Sequence, residues 1–151
     1  MTDMRKIMII NGPNLNMVGI REKNIYGSES YDSLLKMIEE EAKGKDVQPV
    51  FFQSNHEGDL VDWIQQAYFD NYDGIVINPG AYTHTSIAIA DAVKAIAPLP
   101  VVEVHISDVD SREEFRHISY LRPYCLSSVK GHGFHGYTEA IDEILSYYRE
   151  K

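Results

Sequence analysis

Short runs of apolar, β-branched residues alternate along the chain with longer segments whose apolar positions recur every three or four residues. This is the pattern of strands and crossover helices around a parallel sheet. Lys6 to Ile10 is apolar after its first residue, as expected of a strand covered on both faces. A polar stretch from Asn11 to Ser30 follows, with glycines at 12, 19 and 27. The spacing then predicts a helix over Tyr31 to Lys43, turning Leu34, Leu35, Ile38 and Ala42 inward and Lys36, Glu39, Glu40 and Lys43 to water. Val47 to Phe52 reads as a second strand. Ser54 and Glu57 have the spacing of a capping box that opens a second helix striped by Leu60, Ile64 and Ala67. Gly74 to Asn78 reads as a third strand ended by Pro79-Gly80, and a third helix runs from near Thr85 to Ala97, where Pro98 and Pro100 forbid continuation. Val101 to His105 is the fourth strand. Ser111 and Glu114 suggest a second capping box for a short helix, Cys125 to Lys130 a fifth strand, and Tyr137 to about Arg149 a last helix.

Five strands joined by right-handed crossovers predict an α/β fold, a flavodoxin-like doubly wound parallel sheet of order 2-1-3-4-5 with helices on both faces. The 151 residues suit one domain over 1–151, with no repeat and no linker. Hydrophobic residues at 44% and charged residues at 25% exclude a disordered or fibrous chain. A net charge of −9 argues against nucleic acid and anionic membranes as partners, since no local basic patch offsets it. The apolar run near the N-terminus, after Met1 to Lys6, is too short for a signal peptide or a membrane span. The single cysteine, Cys125, excludes an internal disulfide and fits a reducing cytoplasm.

In a sheet of this order ligands bind at the carboxyl ends of the strands, beside the reversal of strand order between the first and third strands. Three apolar strands deliver polar residues to that rim: Asn11-Gly-Pro-Asn14, Asn78-Pro-Gly-Ala-Tyr-Thr-His84 and Glu103-Val-His105-Ile-Ser107. Each alone is also an ordinary turn former; their coincidence at one edge is the stronger signal. Glu103 and His105 are two apart and leave the same strand face. A carboxylate there either holds one imidazole nitrogen and frees the other for proton transfer, or makes a satisfied core pair without a role. His84 suits equally a ligand hydrogen bond and a helix cap. The long polar loop, about 19–27 at its centre, has the length of a lid and carries Arg21 and Tyr26, with glycines as candidate hinges. A cation beside Tyr26 would favour its phenolate.

Gly131-His-Gly-Phe-His-Gly136 matches a dinucleotide fingerprint in letters only, because it follows the last strand and no acidic strand end comes after it. His132 and His135 lack a third ligand at a recognisable spacing, so no metal site is expected. Cys125 reads as a small core residue. A receiver module would need acidic residues where the first and third strands end in asparagine, and a flavin site would need a hydroxyl-rich phosphate loop after the first strand.

Taken together, N-G-P-N-L at 11 to 15, R-E-x-x-x-Y-G at 21 to 27, Q-S-N-H-E-G at 53 to 58, N-P-G-A-Y-T-H-T-S at 78 to 86 and E-V-H-I-S at 103 to 107 resemble the type II 3-dehydroquinases of the shikimate pathway. The likeness covers nearly the whole chain. It implies a lyase that removes water from 3-dehydroquinate to give 3-dehydroshikimate, without metal, nucleotide, other cofactor or Schiff-base lysine. By that resemblance Tyr26 is the base, Arg21 favours its phenolate and helps close the lid, and Asn14 holds a water at the enolate oxygen. His105, oriented by Glu103, protonates the leaving hydroxyl. Asn78, His84 and Arg116 bind substrate hydroxyls, and the backbone amides of Ile106 and Ser107 take the carboxylate. The resemblance also implies a dodecamer built from trimers, with Asp91 reaching a neighbour's site. Two departures stand out: Lys23 occupies a position where the family usually has proline, and Leu126 to His132 is more polar than the family's fifth-strand region.

Overall fold

The computed structural model describes residues 4–20 and 29–151. Five parallel strands, β1 (Arg5–Asn11), β2 (Val47–Gln53), β3 (Gly74–Asn78), β4 (Val101–His105) and β5 (Ser127–Lys130), form one sheet of order β2-β1-β3-β4-β5. Among the described residues there are four α-helices, α1 (Tyr31–Lys43), α2 (Glu57–Phe69), α3 (Ile87–Ala95) and α4 (His135–Arg149). The predicted order of strands is therefore the observed one.

Alternation along the strands explains the layers. Ile7, Ile9, Val76, Val102 and Val104 point to one face, where they pack with Leu34 and Ile38 of α1 and with Tyr137, Ile141 and Ile144 of α4. Met8, Ile10, Ile75, Ile77 and Val101 point to the other, against Leu60 and Ile64 of α2 and Ile89 and Val93 of α3. Both faces of the central strands are thus covered, which is why their interior positions, Ile7 to Ile10 and Ile75 to Ile77, are apolar without alternation, polar residues being kept to the strand ends and to Glu103. Burial of a large aliphatic side chain contributes about 1.5–3 kcal/mol, and Ile7, Ile9, Ile10, Ile75 and Ile77 are all fully enclosed.

Local chemistry sets the helix starts, and it departs from the sequence expectation in several places. At α1, Ser30 Oγ accepts from Ser33 N at 3.2 Å while Ser33 Oγ accepts from Ser30 N at 2.8 Å, a reciprocal cap. Leu35 of this helix is only half-buried, and Met37 packs on the core edge instead. The capping box expected from Ser54 and Glu57 does not form. Ser54 Oγ accepts from His56 N at 2.9 Å and donates to Asp59 Oδ2 at 2.6 Å, so its oxygen serves the turn before α2. The third helix begins at Ile87, capped by Ser86 Oγ on Ile89 N at 2.9 Å, and ends at Ala95; Gly80–His84 is a separate 3-10 turn. His84 is consequently not a cap. No short α-helix follows Ser111: its hydroxyl donates to Asp108 O, and Val109–Ser111 and Glu114–Arg116 are single 3-10 turns. β5 starts at Ser127 rather than Cys125, because Arg122–Tyr124 forms a 3-10 turn that Cys125 closes. Cys125 is half-buried against the core, and burial pushes its thiol up to about 12.

The described residues of the polar loop after β1 lie on either side of residues 21–28. Leu15–Met17 is a 3-10 turn, and Gly19 takes φ +86 beside Glu29. A Cβ at Gly19 would lie 2.2 Å from the Glu29 carbonyl oxygen, so this glycine marks a close approach of the loop's two described ends. Arg21, Lys23, Tyr26 and Gly27 lie outside the described residues, and so does most of the expected lid.

Candidate active site

The carboxyl ends of β1, β3 and β4 surround a cavity of about 430 Å³, next to the reversal of strand order. The tips are tied together: Gly12 N donates to Asn78 O at 2.8 Å and Ser54 N to Asn11 O at 3.1 Å. Gly12 has no room for a side chain, since a Cβ would sit 2.7 Å from the Pro79 carbonyl oxygen. Asn14 follows with φ 70, a left-handed conformation that asparagine tolerates better than most residues. Its backbone N–H donates to Asn55 Oδ1 at 3.0 Å, and Asn55 O in turn accepts from Tyr82 Oη at 2.7 Å. The Gln53 to Gly58 block thus holds Asn14 in place, while the Asn14 side chain lines the cavity.

Glu103 and His105 share a face of β4, as their spacing predicted. Both are buried, and His105 Nε2 lies 2.6 Å from Glu103 Oε2. Ser119 Oγ donates to Oε1 of the carboxylate at 2.8 Å, and Thr83 Oγ1 donates to Oε2. Burial alone would raise the Glu103 carboxyl, but the hydrogen bond and charge of His105 and the bonds from Thr83 and Ser119 outweigh it. The pKa falls below the ordinary carboxylate value. An ionised Glu103 only accepts, so Nε2 of His105 carries a proton. The imidazole lines the cavity, and Nδ1 has no hydrogen-bond partner among the described residues.

His84 lies beside it, the two rings 6.4 Å apart and nearly parallel at 19°. Its Nδ1 is 2.7 Å from Ile118 O. A carbonyl only accepts, which places the His84 proton on Nδ1 and leaves Nε2 as an acceptor. Desolvation lowers the His84 pKa, with the neighbouring charges of His105 and Arg116 adding to it against the pull of the Ile118 carbonyl. The ring is therefore neutral at pH 7.

Arg116 also lines the cavity, its Nε donating to Glu113 Oε2 at 3.1 Å, and Arg112, just after the Val109–Ser111 turn, lines it too. Ile106 and Ser107 complete the wall after β4. Their carbonyls are tied to the segment after β5: Gly131 N donates to Ser107 O at 3.1 Å and Gly133 N to Ile106 O at 3.0 Å. The glycine-rich stretch that imitates a nucleotide loop is thus a brace for this wall. Described residues lining the cavity include two guanidinium groups and no carboxylate, although the chain carries a net charge of −9. Such a site favours a small anion with several hydroxyls.

Of the residues singled out from sequence, Asn14, Asn78, His84, His105, Ile106, Ser107 and Arg116 meet around this cavity, with Glu103 behind His105. Asp91 does not; it is exposed on α3. Arg21 and Tyr26 lie outside the described residues. Sequence reasoning missed Arg112, which lies in an irregular segment between two 3-10 turns where spacing gives no signal, and Asn55, which sits inside a quoted motif. It also missed Thr83 and Ser119, the hydroxyls that satisfy Glu103. Among the described residues no cluster of three or more histidine, cysteine or acidic side chains is placed to hold a metal, and no helix is long and apolar enough to cross a membrane.

Residues 5–145 match the family model for dehydroquinase class II. The chain is 54% identical to the 3-dehydroquinate dehydratase of Caldicellulosiruptor bescii, over 94% of this chain and 99% of that one. It is 52% identical to the protein of the same name from Fusobacterium nucleatum, over 96% and 99%. Among solved structures, the type II dehydroquinase of Butyrivibrio crossotus superimposes with a TM-score of 0.91 at 55% identity, covering 94% of this chain and 98% of that one. The type II dehydroquinase of Propionibacterium acnes gives 0.87 at 36% identity, covering 99% and 100%. With fold, cavity and sequence in agreement over nearly its full length, the chain belongs to the class II dehydroquinase family.

Proposed function

We propose that this protein is a 3-dehydroquinate dehydratase working by enolate-forming elimination, with a tyrosine base and a histidine acid. The observation that carries the reading is His105, anchored through Nε2 on an ionised Glu103 with its other ring nitrogen unengaged among the described residues, in a cavity lined by Arg112 and Arg116. Family membership supports the substrate.

Tyr26, as phenolate, removes the proton beside the ketone, and the C–H electron pair moves into an enolate. Arg21 favours the phenolate by its positive charge. A water held by Asn14 donates to the enolate oxygen. The enolate then collapses to the conjugated enone, expelling the hydroxyl, which leaves as water with a proton from His105. The chemistry fits the tautomer derived above. Because Nε2–H is committed to Glu103, the transferable proton must sit on Nδ1, and the imidazolium that carries it is stabilised by the carboxylate. The neutral His84 offers Nε2 to a substrate hydroxyl, Asn78 and Arg116 bind further oxygens, and the amides of Ile106 and Ser107 take the carboxylate. The route calls on no metal, cofactor or Schiff-base lysine.

The same reading makes the working enzyme a trimer-based dodecamer of the cytoplasm. Ile87 is 61% exposed on α3 and Asp91 lies one turn further on, while Phe115 and Ile118 expose 65% and 60%. An exposed apolar side chain one turn from Asp91 on the same helix suits contact with a neighbouring copy whose site Asp91 completes. The test is an ultraviolet assay for the conjugated product: active wild-type enzyme with a silent Tyr26→Phe supports the mechanism, and an undiminished Tyr26→Phe removes Tyr26 from it.

A further inference from the structure

Under the cavity, a run of hydrogen bonds links the tips of β1 and β3 to α1 and α4, and its direction is forced from one end. Gly80 N lies 3.1 Å from the Asn78 side-chain oxygen Oδ1. A backbone N–H only donates, so the Asn78 amide cannot be turned over without opposing two donors. Asn78 Nδ2 then donates to Tyr137 Oη at 3.0 Å. The phenol passes its own proton to Asn11 Oδ1 at 2.5 Å, and Asn11 Nδ2 lies 3.4 Å from Tyr31 Oη. Asn11 and Tyr137 are fully enclosed and Asn78 is 3% exposed, so water does not substitute for a missing partner.

We infer that Tyr137, on α4, is a positioning residue of the active site, fixing the Asn78 amide so that its second Nδ2 proton is kept for an acceptor oxygen of the substrate. The inference deepens the proposed function, resting on its assignment of Asn78 to substrate binding. It explains why a tyrosine in the first turn of α4, on its core-facing side, reaches two asparagines at the strand ends. Phenylalanine would fill the same space but remove the phenol that Asn78 Nδ2 donates to and Asn11 Oδ1 accepts from, leaving the Asn78 amide held by the Gly80 N–H alone. It also sets a preference at this point of the cavity for a ligand oxygen over a ligand N–H.

Tyr137→Phe is expected to raise KM for 3-dehydroquinate about tenfold while kcat changes less than about threefold. In an Asn78→Ala background the same change should alter KM by less than about twofold, because the residue acts through Asn78. An equal multiplication of KM in both backgrounds, or an unchanged KM in Tyr137→Phe, overturns the inference. Side-chain amide exchange by NMR reads the same contact without turnover. Asn78 NH2 protons of the wild type should exchange at least about tenfold more slowly than those of the exposed Asn71; equal rates overturn the inference even if Tyr137→Phe does not fold. A wild type that keeps this protection but turns over no 3-dehydroquinate removes the proposed activity and leaves the orientation of Asn78 by Tyr137 supported.

Discussion

Glu103 Oε2 and His105 Nε2 lie 2.6 Å apart, two residues along one strand and both enclosed. Thr83 and Ser119 add hydroxyl donors to the same carboxylate, so the pair is a charge held ready for a second charge. Glu103→Gln removes the negative charge with almost no change of shape. The expected result is a fall in kcat of about 10²-fold or more, with KM altered little, measured by the appearance of the conjugated product. A kcat within about threefold of wild type would deny His105 its oriented role.

The same carboxylate makes stability sensitive to acid. Its folded pKa is below the ordinary value of 4.5, so its contribution is fully present above the unfolded value and is lost as pH falls through the lowered one. Denaturant titrations should show wild-type stability falling below about pH 4.5 more steeply than that of Glu103→Gln, which should be the less stable of the two at pH 6.

His84 has its pKa lowered from 6.5, and here the neutral form is the one that accepts from substrate. Binding that depends on it should persist at pH 6.5 and weaken only as pH descends through the lowered value. In kcat/KM profiles, His84→Ala should raise KM about tenfold near neutral pH and lose that acid-side inflection. A His84→Ala profile superimposable on the wild-type one would take His84 out of substrate binding.

Asp91 and Tyr26 offer a test of assembly. If Asp91 completes a neighbour's site, Asp91→Ala and Tyr26→Phe should each be nearly inactive alone, and coexpression of the two should restore part of the activity, because some mixed sites then carry both residues. Sedimentation of Ile87→Glu should show smaller species than the wild type. Coexpression no more active than the separate variants would place Asp91 outside the site.

Gly12→Ala would put a methyl carbon 2.7 Å from the Pro79 carbonyl oxygen. The tips of β1 and β3 must then separate, at a cost of about 1–3 kcal/mol, and a Tm lower by about 3 °C or more is expected by calorimetry. KM should rise as well, since Asn14 and Asn78 flank that contact.

Patterns within a few residues were legible in the sequence because they follow from backbone geometry. The period of two placed Glu103 and His105 on one face of β4, and the run of apolar residues at 7 to 10 announced a strand buried on both sides. Right-handed crossovers left one sensible strand order, and that order placed the site at the ends of β1, β3 and β4. What the sequence by itself determined was therefore the kind of elements, their order and the edge where polar residues gather. Hydrogen-bond partners were decided by the tertiary structure. Ser54 has the spacing of a cap, yet its oxygen is taken by His56 N and Asp59; Ser119 belongs to a segment with no periodicity, yet it meets Glu103. Tyr137 reads as one more apolar position on a helix, but it reaches Asn11 across 126 residues. A buried polar atom must be satisfied by whatever the fold brings within about 3 Å, and that choice is made only when distant parts of the chain are packed together.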